Sequence, residues 1–332
     1  MIDKGKVNSI LVTRTDRLGD VMLTLPLISC LRKIFPGVKI YFLVKKYLKG
    51  LLESYEGIDE IIYEDEYEGD TSLKEILRKK NIDLSINVKP EFRQAFMFYR
   101  LGIEYRIGTA YRWYSFLYNC KVYEHRKNSD KHESELNVSL IRNFFNEKCD
   151  ENINSFRIDN NRREELRKKL ITLSPELLEK YIIVHPGSGG SAKDLPAGKF
   201  SELVKVLHHD FKDHSIVLTG IQSERELAEK IISDSGSADA LNLCGKLSIG
   251  ELLILINEGS LFISNSTGPI HIAGILNKKI IGFYPNEKPM HEGRWKPLGI
   301  NVEIFSPESP NDDMNEININ EALISAKKFI KS

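Results

Sequence analysis

Residues 263–271 carry the strongest chemical signal in the chain. An apolar run typical of a buried strand ends there in Ser266 and Thr267, and Gly268 and His271 follow where a helix is predicted to begin. The first turn of a helix presents backbone N–H groups and a positive dipole end, which attract anions. The pattern predicts a site for a phosphorylated ligand. The alternative for His271 is a packed histidine that contacts no ligand.

A second strand leads into a loop rich in glycine and serine, at residues 185–196. Ser188 and Gly189 lie in this loop, and Lys193 stands just before the next predicted helix. Backbone N–H groups in such a loop can cradle a phosphate, which the lysine can neutralise. The loop is not a Walker A motif, because alanine and aspartate replace its second glycine and its magnesium-binding hydroxyl. A flexible connector is the alternative.

Gly19 and Asp20 follow the first predicted strand, in the place where a dinucleotide-binding fold has GxGxxG. The absence of that motif disfavours a nicotinamide or flavin enzyme. A carboxylate at the end of a strand can take a proton from a hydroxyl substrate. Two alternatives remain: Asp20 caps the following helix, or Asp16 and the neighbouring arginines form a surface ion-pair cluster.

Glu224 and Gln222 follow a further strand and can bind ribose hydroxyls, as an acid does in nucleotide-binding folds. The alternative is a helix cap at Ser223 with Glu224 in the first turn. No histidine spacing typical of a metal site accompanies His271, so we expect no catalytic metal and no cofactor.

The elements that must position these residues alternate between strand and helix along nearly the whole chain. The predicted strands are 9–13, 39–44, 59–63, 83–88, 181–185, 215–219, 240–243, 261–264 and 279–284. The predicted helices are 23–34, 73–80, 132–145, 162–169, 200–211, 224–232, 250–256, 272–276 and 320–330. Such alternation predicts an α/β protein with parallel, doubly wound sheets, whose ligands bind at the carboxyl ends of the strands. Residues 146–161 are polar and aperiodic, which predicts a domain boundary there.

Composition narrows the class of protein. Lysine plus arginine and aspartate plus glutamate each number 47, so the formal net charge is zero, which argues against nucleic-acid binding through the overall field. Cys30 and Cys244 lie in apolar stretches and are expected to be core residues in a reducing compartment. No signal peptide and no run of about 18 apolar residues is present, which predicts a soluble cytoplasmic protein.

Residues 92–123 interleave aromatic side chains with arginines. Three interpretations stay open at this stage: core packing, a surface that stacks on sugars, and a surface that rests on a membrane interface.

Taken together, these motifs resemble glycosyltransferase family 9, the ADP-heptose:lipopolysaccharide heptosyltransferases. The similarity covers almost the whole chain in order, with its anchors at residues 15–26, 185–188, 193–196 and 264–271. It implies a GT-B fold, in which two Rossmann-like doubly wound domains face a central cleft. Residues 1–160 are then the acceptor-binding domain and residues 161–332 the nucleotide-sugar-binding domain, with the last helix returning toward the first domain.

The resemblance also implies roles. Asp20 matches the catalytic base, and Lys193 matches a catalytic residue that contacts the donor phosphates. The other positions that match donor-binding residues are Gly19, Ser188, Gly189, Glu224, Ser266, Thr267, Gly268 and His271. Two features depart from the family pattern: Ser266 stands where members often have aspartate, and glycines replace a threonine-rich loop.

The expected activity is an inverting, metal-independent transfer of a sugar, heptose by resemblance, from an ADP-sugar to a lipopolysaccharide-core or related lipid-linked glycan. A transferase with a different nucleotide-sugar, a nucleotide-sugar-binding protein without transferase activity and a sugar-nucleotide epimerase are the alternatives. Peripheral contact with the inner face of the cytoplasmic membrane is expected, and nucleic acid is not expected as a partner.

Overall fold

The computed structural model describes residues 2–126, 130–145, 147, 149, 155–177, 179–190, 192–308 and 312–331. The chain forms two compact units, Met1–Arg157 and Ile158–Ser332. Their division lies within the predicted boundary segment, part of which falls outside the described residues. Each unit holds a parallel sheet of six strands, so the predicted α/β class with two doubly wound sheets is confirmed.

The first unit is built around strand β1 (Ser9–Thr13). The other strands are β2 (Lys39–Val44), β3 (Glu60–Tyr63), β4 (Leu84–Asn87), β5 (Tyr105–Thr109) and β6 (Cys120–Val122). The helices are α1 (Leu18–Met22), α2 (Leu25–Ile34), α3 (Gly69–Lys79), α4 (Phe92–Leu101) and α5 (Glu133–Arg142). The strand order is β3-β2-β1-β4-β5-β6, with Ile10 paired to Ile40 on one side and to Leu84 on the other.

Every residue of β1 is buried, which is typical of a central parallel strand with helices on both faces of its sheet. Leu11 packs in one core cluster with Leu77 of α3 and Phe98 of α4. Helix α2 packs against α5. The helix predicted over residues 23–34 is observed as α2, and the short helix α1 before it was not predicted. Pro26 lies in the first turn of α2, where its missing N–H costs no hydrogen bond.

The aromatic stretch at residues 92–123 folds into α4, β5 and β6, none of which the sequence pattern predicted. Its rings divide between two environments. Phe98, Tyr114 and Tyr118 are buried, whereas Phe92 and Trp113 are among those that remain exposed. Core packing therefore accounts for only part of the aromatic content.

Cys30 is buried in α2, as predicted, but it is not an isolated core thiol. Its sulfur is bonded to Cys149, 119 residues away in the sequence, with a Cα–Cα distance of 5.2 Å. Cys244 is a free, buried cysteine, as expected. The pairing could not be predicted because the two cysteines share no local motif.

The second unit repeats the architecture. Its strands are β7 (Tyr181–His185), β8 (Ser215–Leu218), β9 (Leu241–Asn242), β10 (Leu261–Asn265), β11 (Ile280–Phe283) and β12 (Val302–Phe305). Its helices are α6 (Asn160–Leu173), α7 (Ala197–Asp210), α8 (Arg225–Ser235), α9 (Ile249–Glu258), α10 (Gly268–Ile275), α11 (Glu292–Trp295) and α12 (Ile319–Lys331). The strand order is β12-β11-β10-β7-β8-β9.

One face of the second sheet supports α7, α8 and α12, whose side chains share a single apolar cluster. Ala322 and Ala326 of α12 are fully buried in this cluster. The last helix thus packs in the core of its own unit, and its return toward the first unit stays a prediction. Within the described residues, no helix is long and apolar enough to cross a bilayer.

Both sheets have the same strand order when the strands of each unit are numbered from its own first strand, β1 or β7. The chain reverses direction across the sheet between β1 and β4 in the first unit, and between β7 and β10 in the second. At such a switch point the loops that follow the two central strands diverge, which leaves a crevice where ligands of open α/β sheets bind. The motif around Asp20 and the motifs at residues 185–196 and 263–271 all follow these central strands.

Candidate active site

Asp20 lies in the first turn of α1, just after the loop that leaves β1. Its carboxylate accepts a hydrogen bond from Nη2 of Arg14. The side chains of Arg14 and Asp20 are only 5% and 16% exposed, so this ion pair is screened far less than a surface pair. The capping alternative does not describe Asp20, because the N-cap residue of α1 is Arg17.

The buried guanidinium of Arg14 donates hydrogen bonds to three carboxylates. Besides Asp20, it donates from Nε to Asp16 at 2.7 Å and from Nη1 to Glu133 at 3.2 Å. An arginine can do this because its planar group carries five donors. Burial acts to lower the pKa of Arg14, but the charges of the three carboxylates raise it above its ordinary value. The ion pair between Arg14 and Asp16 that this alternative predicted therefore exists, but its arginine is buried and also pairs with Asp20 and Glu133.

Helix α5 supports the guanidinium of Arg14 through residues that the sequence analysis did not identify. Glu133, at the start of α5, has a side chain 1% exposed and also accepts from Arg126 at 2.6 Å. Asn137, one turn later, accepts from Arg126 at 3.0 Å and donates to the carbonyl of Leu23 at 2.9 Å. No local spacing signals these contacts, since Glu133 lies 119 residues after Arg14.

Asp16 is a second carboxyl group beside the same guanidinium. Burial raises its pKa to about 6, with the charge of Asp20 acting in the same direction and Arg14 opposing both. The hydroxyl of Tyr47 donates to the backbone carbonyl of Asp16 at 2.9 Å. The two carboxyl groups of Asp16 and Asp20 therefore share the guanidinium of Arg14.

In the second unit, the loop after β7 is packed against the carboxylate of Glu224. Glu224 accepts from the backbone N–H of Gly189 at 3.1 Å and from that of Ile221 at 2.8 Å. A Cβ placed on Gly187 would lie 2.0 Å from Oε1 of Glu224, so only glycine fits there without displacing the carboxylate. Gly189 has a φ of +58°, which also favours glycine. The structure thus brings Glu224 to the predicted phosphate loop.

Ser188 lies beside a further carboxyl group, that of Asp194. Burial raises the pKa of Asp194, the charge of Glu224 acts in the same direction, and hydrogen bonds from Ser188 oppose them. Two acids thus flank the loop, and Asp194, which the sequence analysis treated only as a departure from Walker A, is one of them. Ser191 of this loop is outside the described residues.

The ammonium group of Lys193 is held by two carboxylates that come from later in the chain. Its Nζ lies 2.7 Å from Oε2 of Glu287 and 3.1 Å from Oδ2 of Asp312. The hydrogen bonds to these two residues raise the pKa of Lys193. Asp312 is buried, and Lys193 is about half exposed. The lysine is therefore fully charged at neutral pH and accessible from solvent.

Asn265, the last residue of β10, joins the two loops of the second switch point. Its side-chain oxygen accepts from the N–H of Leu195 at 2.9 Å, and its side-chain nitrogen donates to the carbonyl of Pro186. Because Asn265 is fully buried, these bonds fix both ends of the loop after β7 against the end of β10. This role of Asn265 was not predicted, although an asparagine at the end of an apolar strand is a signal that the sequence contains.

The motif after β10 has the predicted strand-to-helix form. Thr267 is the N-cap residue of α10, with an extended backbone, and Gly268 and Pro269 form the first turn. The N–H of Ser266 donates to the carbonyl of Phe283 at 3.0 Å. His271 is buried within α10, the place its packing alternative assigns to it. The described residues contain no cluster of three or more metal-ligating side chains.

Comparison with known proteins identifies the family. The model of glycosyltransferase family 9 (heptosyltransferase) matches residues 71–323, which is more than half of the chain. The chain belongs to glycosyltransferase family 9. An inferred glycosyltransferase of Haemophilus influenzae is 30% identical to it, over 98% of each chain.

Solved structures of the family agree with the fold. The ADP-heptose lipopolysaccharide heptosyltransferase II of Escherichia coli superposes with a TM-score of 0.82 at 20% identity, over 97% of this chain and 98% of that one. Escherichia coli heptosyltransferase WaaC with ADP superposes with a TM-score of 0.72 at 18% identity, over 97% and 99%. The GT-B fold and the family predicted from sequence are confirmed, and the protein is an enzyme, a heptosyltransferase-like glycosyltransferase.

Proposed function

We propose that this family 9 transferase moves heptose from ADP-heptose to a lipopolysaccharide-core glycan, with inversion at the anomeric carbon and without a metal ion. In this proposal the first unit binds the acceptor and the second binds the nucleotide-sugar. ADP-heptose and lipopolysaccharide are proposed by analogy with the structural neighbour, the ADP-heptose lipopolysaccharide heptosyltransferase II of Escherichia coli.

The observation that carries the proposal is the construction of the second switch point. Asn265 ties the loop of Ser188 and Gly189 to the end of β10, directly before the first turn of α10. Backbone N–H groups and one accessible lysine, Lys193, thus belong to a single braced structure. Such an arrangement suits a diphosphate, because fixed donors need no reorganisation as charge develops on the leaving group.

The transfer step follows from these groups. The Asp20 carboxylate takes the proton of an acceptor hydroxyl, whose oxygen forms a bond to the anomeric carbon from the face opposite the leaving group. The bond from that carbon to the phosphate oxygen breaks, and its electron pair goes to the ADP diphosphate. The loop at Ser188, the first turn of α10 and Lys193 stabilise that negative charge, which is how the enzyme needs no metal.

Arg14 positions the base in this proposal. It fixes the position of the Asp20 carboxylate through a partly buried hydrogen bond. Lys193 exchanges Glu287 and Asp312 for the donor phosphates, since all three compete for one ammonium group. Glu224 keeps acceptor capacity on each oxygen beyond its two backbone contacts and accepts from ribose hydroxyls. Gly19 precedes Asp20 in α1, and its assignment to the donor stays a prediction, while His271 lies buried within α10.

Ser266 is the main departure from the family pattern, and it bears on the donor. A serine hydroxyl at this position can donate or accept a hydrogen bond, whereas an aspartate only accepts. Donor identity is therefore the first point to test. Calorimetric titration with ADP, UDP and GDP, each with magnesium and with EDTA, measures base preference and metal dependence directly.

We expect ADP to bind most tightly of the three nucleotides, with the same affinity in EDTA. We also expect ADP-heptose to be consumed and to give a product whose anomeric configuration is opposite to that of the donor. A preference for UDP or GDP would replace the donor class and keep the transferase. A requirement for magnesium in binding or transfer would overturn the metal-independent step.

A further inference from the structure

Helix α4 presents an aromatic face to solvent. Phe92, Phe96 and Tyr99 recur at the spacing of one helix face and are all exposed, while Gln94 and Phe98 on the other face are buried. An amphipathic helix usually exposes its polar side, so this helix is unusual in exposing rings. Contiguous exposed rings of this kind mark a candidate interaction surface.

The segment between β5 and β6 adds further exposed rings to this face. Trp113 is 74% exposed and stacks on Phe92 with a centroid distance of 4.9 Å, and Phe116 is 66% exposed. Phe92 also stacks on Phe96 at 5.8 Å. We call Phe92, Phe96, Tyr99, Trp113 and Phe116 the aromatic surface. Within this surface, the ring of Phe92 stacks on the rings of both Phe96 and Trp113.

Positive charge accompanies the aromatic surface. Residues 92–123 contain five arginines and lysines and one acid, Glu104, a difference of four in a chain whose total charge is zero. Arg100, on the same face of α4, and Arg112, next to Trp113, are exposed. The charge of Arg93 is balanced by its ion pairs with Glu64 and Asp70, so Arg93 is not counted as part of this positive surface. Exposed aromatic rings mixed with exposed arginines complement the interface of a bilayer that contains anionic lipids.

The buried face of α4 connects the aromatic surface to the candidate base. Gln94 is buried and its side-chain amide donates to Oγ1 of Thr15 at 3.2 Å and to Glu64 at 3.1 Å. Thr15 belongs to the same loop as Asp16, which shares the guanidinium of Arg14 with Asp20. The exposed rings and the loop that carries the base are therefore on opposite faces of one short helix.

We propose that the aromatic surface seats the enzyme on an anionic lipid bilayer, with Trp113 and Phe116 in the headgroup region and Arg100 and Arg112 against the lipid phosphates. The use of this surface, to reach an acceptor anchored in the same bilayer, rests on the proposed function. Lipid binding itself needs neither donor nor turnover, so it can be tested separately.

The first experiment is vesicle co-sedimentation of the full chain without substrates. The vesicles contain either phosphatidylethanolamine with phosphatidylglycerol or phosphatidylcholine alone. We expect binding to the anionic vesicles, with an affinity that falls about tenfold or more in Arg100→Glu/Arg112→Glu and in Phe96→Ala/Trp113→Ala/Phe116→Ala. All five positions are exposed, so far-ultraviolet circular dichroism is expected to show unchanged folding.

Matched controls come from exposed residues elsewhere in the chain. Arg142→Glu/Arg167→Glu makes the same charge change away from the surface, and Ile300→Ala/Ile324→Ala removes exposed apolar groups from the second unit. We expect both to bind anionic vesicles like the unchanged protein. Equal losses in the control and test variants would overturn a specific surface.

Trp113 also reports its own environment. The chain has two tryptophans, and Trp295→Phe leaves Trp113 alone. Its emission is expected to shift to shorter wavelength on anionic vesicles and to be quenched by brominated lipid. An unshifted Trp113 on sedimenting protein would place the contact elsewhere.

A glycan is the competing ligand, because sugars also stack on exposed rings. The same variants are therefore titrated with a soluble, delipidated core oligosaccharide. Loss of oligosaccharide binding with unchanged vesicle binding would overturn the proposal and assign the surface to the acceptor glycan. Loss of vesicle binding with transfer to the soluble acceptor retained would support it independently of the catalytic mechanism.

Discussion

The two units have the same strand order, but different kinds of contact hold the loops at their switch points. In the first unit, the loop after β1 is held by side-chain charges, with one buried arginine, Arg14, serving Asp16, Asp20 and Glu133. In the second, the loops after β7 and β10 are held mostly by contacts to backbone groups, through Glu224 and Asn265.

The difference follows from what each switch point handles in the proposed reaction. A base must change its protonation state, so its site needs neighbouring charges that set its pKa. A diphosphate keeps its charge and needs many donors at fixed positions, which backbone N–H groups provide without losing side-chain entropy. One fold can thus serve proton transfer and phosphate binding by changing only the loops after its central strands.

The largest expected effect is the loss of kcat when Asp20, one of the two acids beside Arg14, is replaced. Asp20→Asn keeps the size of the side chain but removes the base, so kcat is expected to fall about 10²–10⁴-fold. ADP affinity is expected to stay near that of the unchanged protein, because the nucleotide binds the second unit in this proposal. Steady-state kinetics and calorimetry on the same variant measure both.

Asp16→Asn is the matched control for Asp20→Asn, since both acids bond the same guanidinium. We expect its kcat to fall less than tenfold, because in this proposal Asp16 contacts the guanidinium of Arg14 and not the acceptor hydroxyl. A larger fall for Asp16→Asn than for Asp20→Asn would transfer the role of base to Asp16.

The next effect tests the phosphate side. Lys193→Ala removes a charged donor, so ADP affinity is expected to fall about tenfold to hundredfold. Glu287→Gln removes one competitor for the same ammonium group and is expected to tighten ADP about twofold to fivefold. Calorimetry of both variants checks this pair of opposite changes. Weaker ADP binding in Glu287→Gln would mean that Glu287 positions Lys193 for the donor and does not compete with it.

The pH dependence of stability is expected to have opposite sign in the two units. Burial lowers the pKa of His185 in β7 to about 4, so the unfolded chain binds the proton more tightly. The free energy of unfolding is therefore highest above the ordinary histidine pKa of about 6.5. Below that pH it falls by about 1.4 kcal/mol per pH unit, because protonation of His185 favours the unfolded chain. Asp16, whose pKa is raised to about 6, contributes stability below the ordinary aspartate pKa that is lost as pH rises through 6.

Urea unfolding at pH 5.5 and pH 7.5 measures this contrast, with one tryptophan in each unit as the reporter. Trp295→Phe leaves a reporter in the first unit, and Trp113→Phe leaves one in the second. Relative to its parent, His185→Gln is expected to lose about 1 kcal/mol less at pH 5.5 than at pH 7.5, and Asp16→Asn to gain about 1 kcal/mol more at pH 7.5. Changes of the same sign in both units would contradict the assignment.

The smallest expected effect probes the backbone-held loop. Gly187→Ala forces the Glu224 carboxylate away from the N–H groups of Gly189 and Ile221, and ADP affinity is expected to fall roughly fivefold. Gly198→Ala, at the start of α7, meets nothing within 4 Å and serves as the control. Equal ADP affinity in the two variants would show that Glu224 does not hold the loop for the donor.

The sequence alone determined the fold class, the family and the places where the chemistry is expected. Alternating strands and helices dictate parallel sheets. A loop of glycine, serine and lysine after an apolar strand can bind an anion through local backbone N–H groups, so its chemistry can be predicted without knowing distant contacts. The motifs at residues 185–196 and 263–271 could therefore be located from their residue types and spacing.

Tertiary structure alone decided which side chains meet. The contacts from Glu133 to Arg14, from Asn265 to Leu195 and from Asp312 to Lys193 span 70 to 119 residues. It also decided which rings of residues 92–123 face solvent, since aromatic content does not reveal which side of α4 packs on the sheet. Local pattern fixes periodicity and turn chemistry, whereas partners distant in sequence depend on how the sheet brings its loops together.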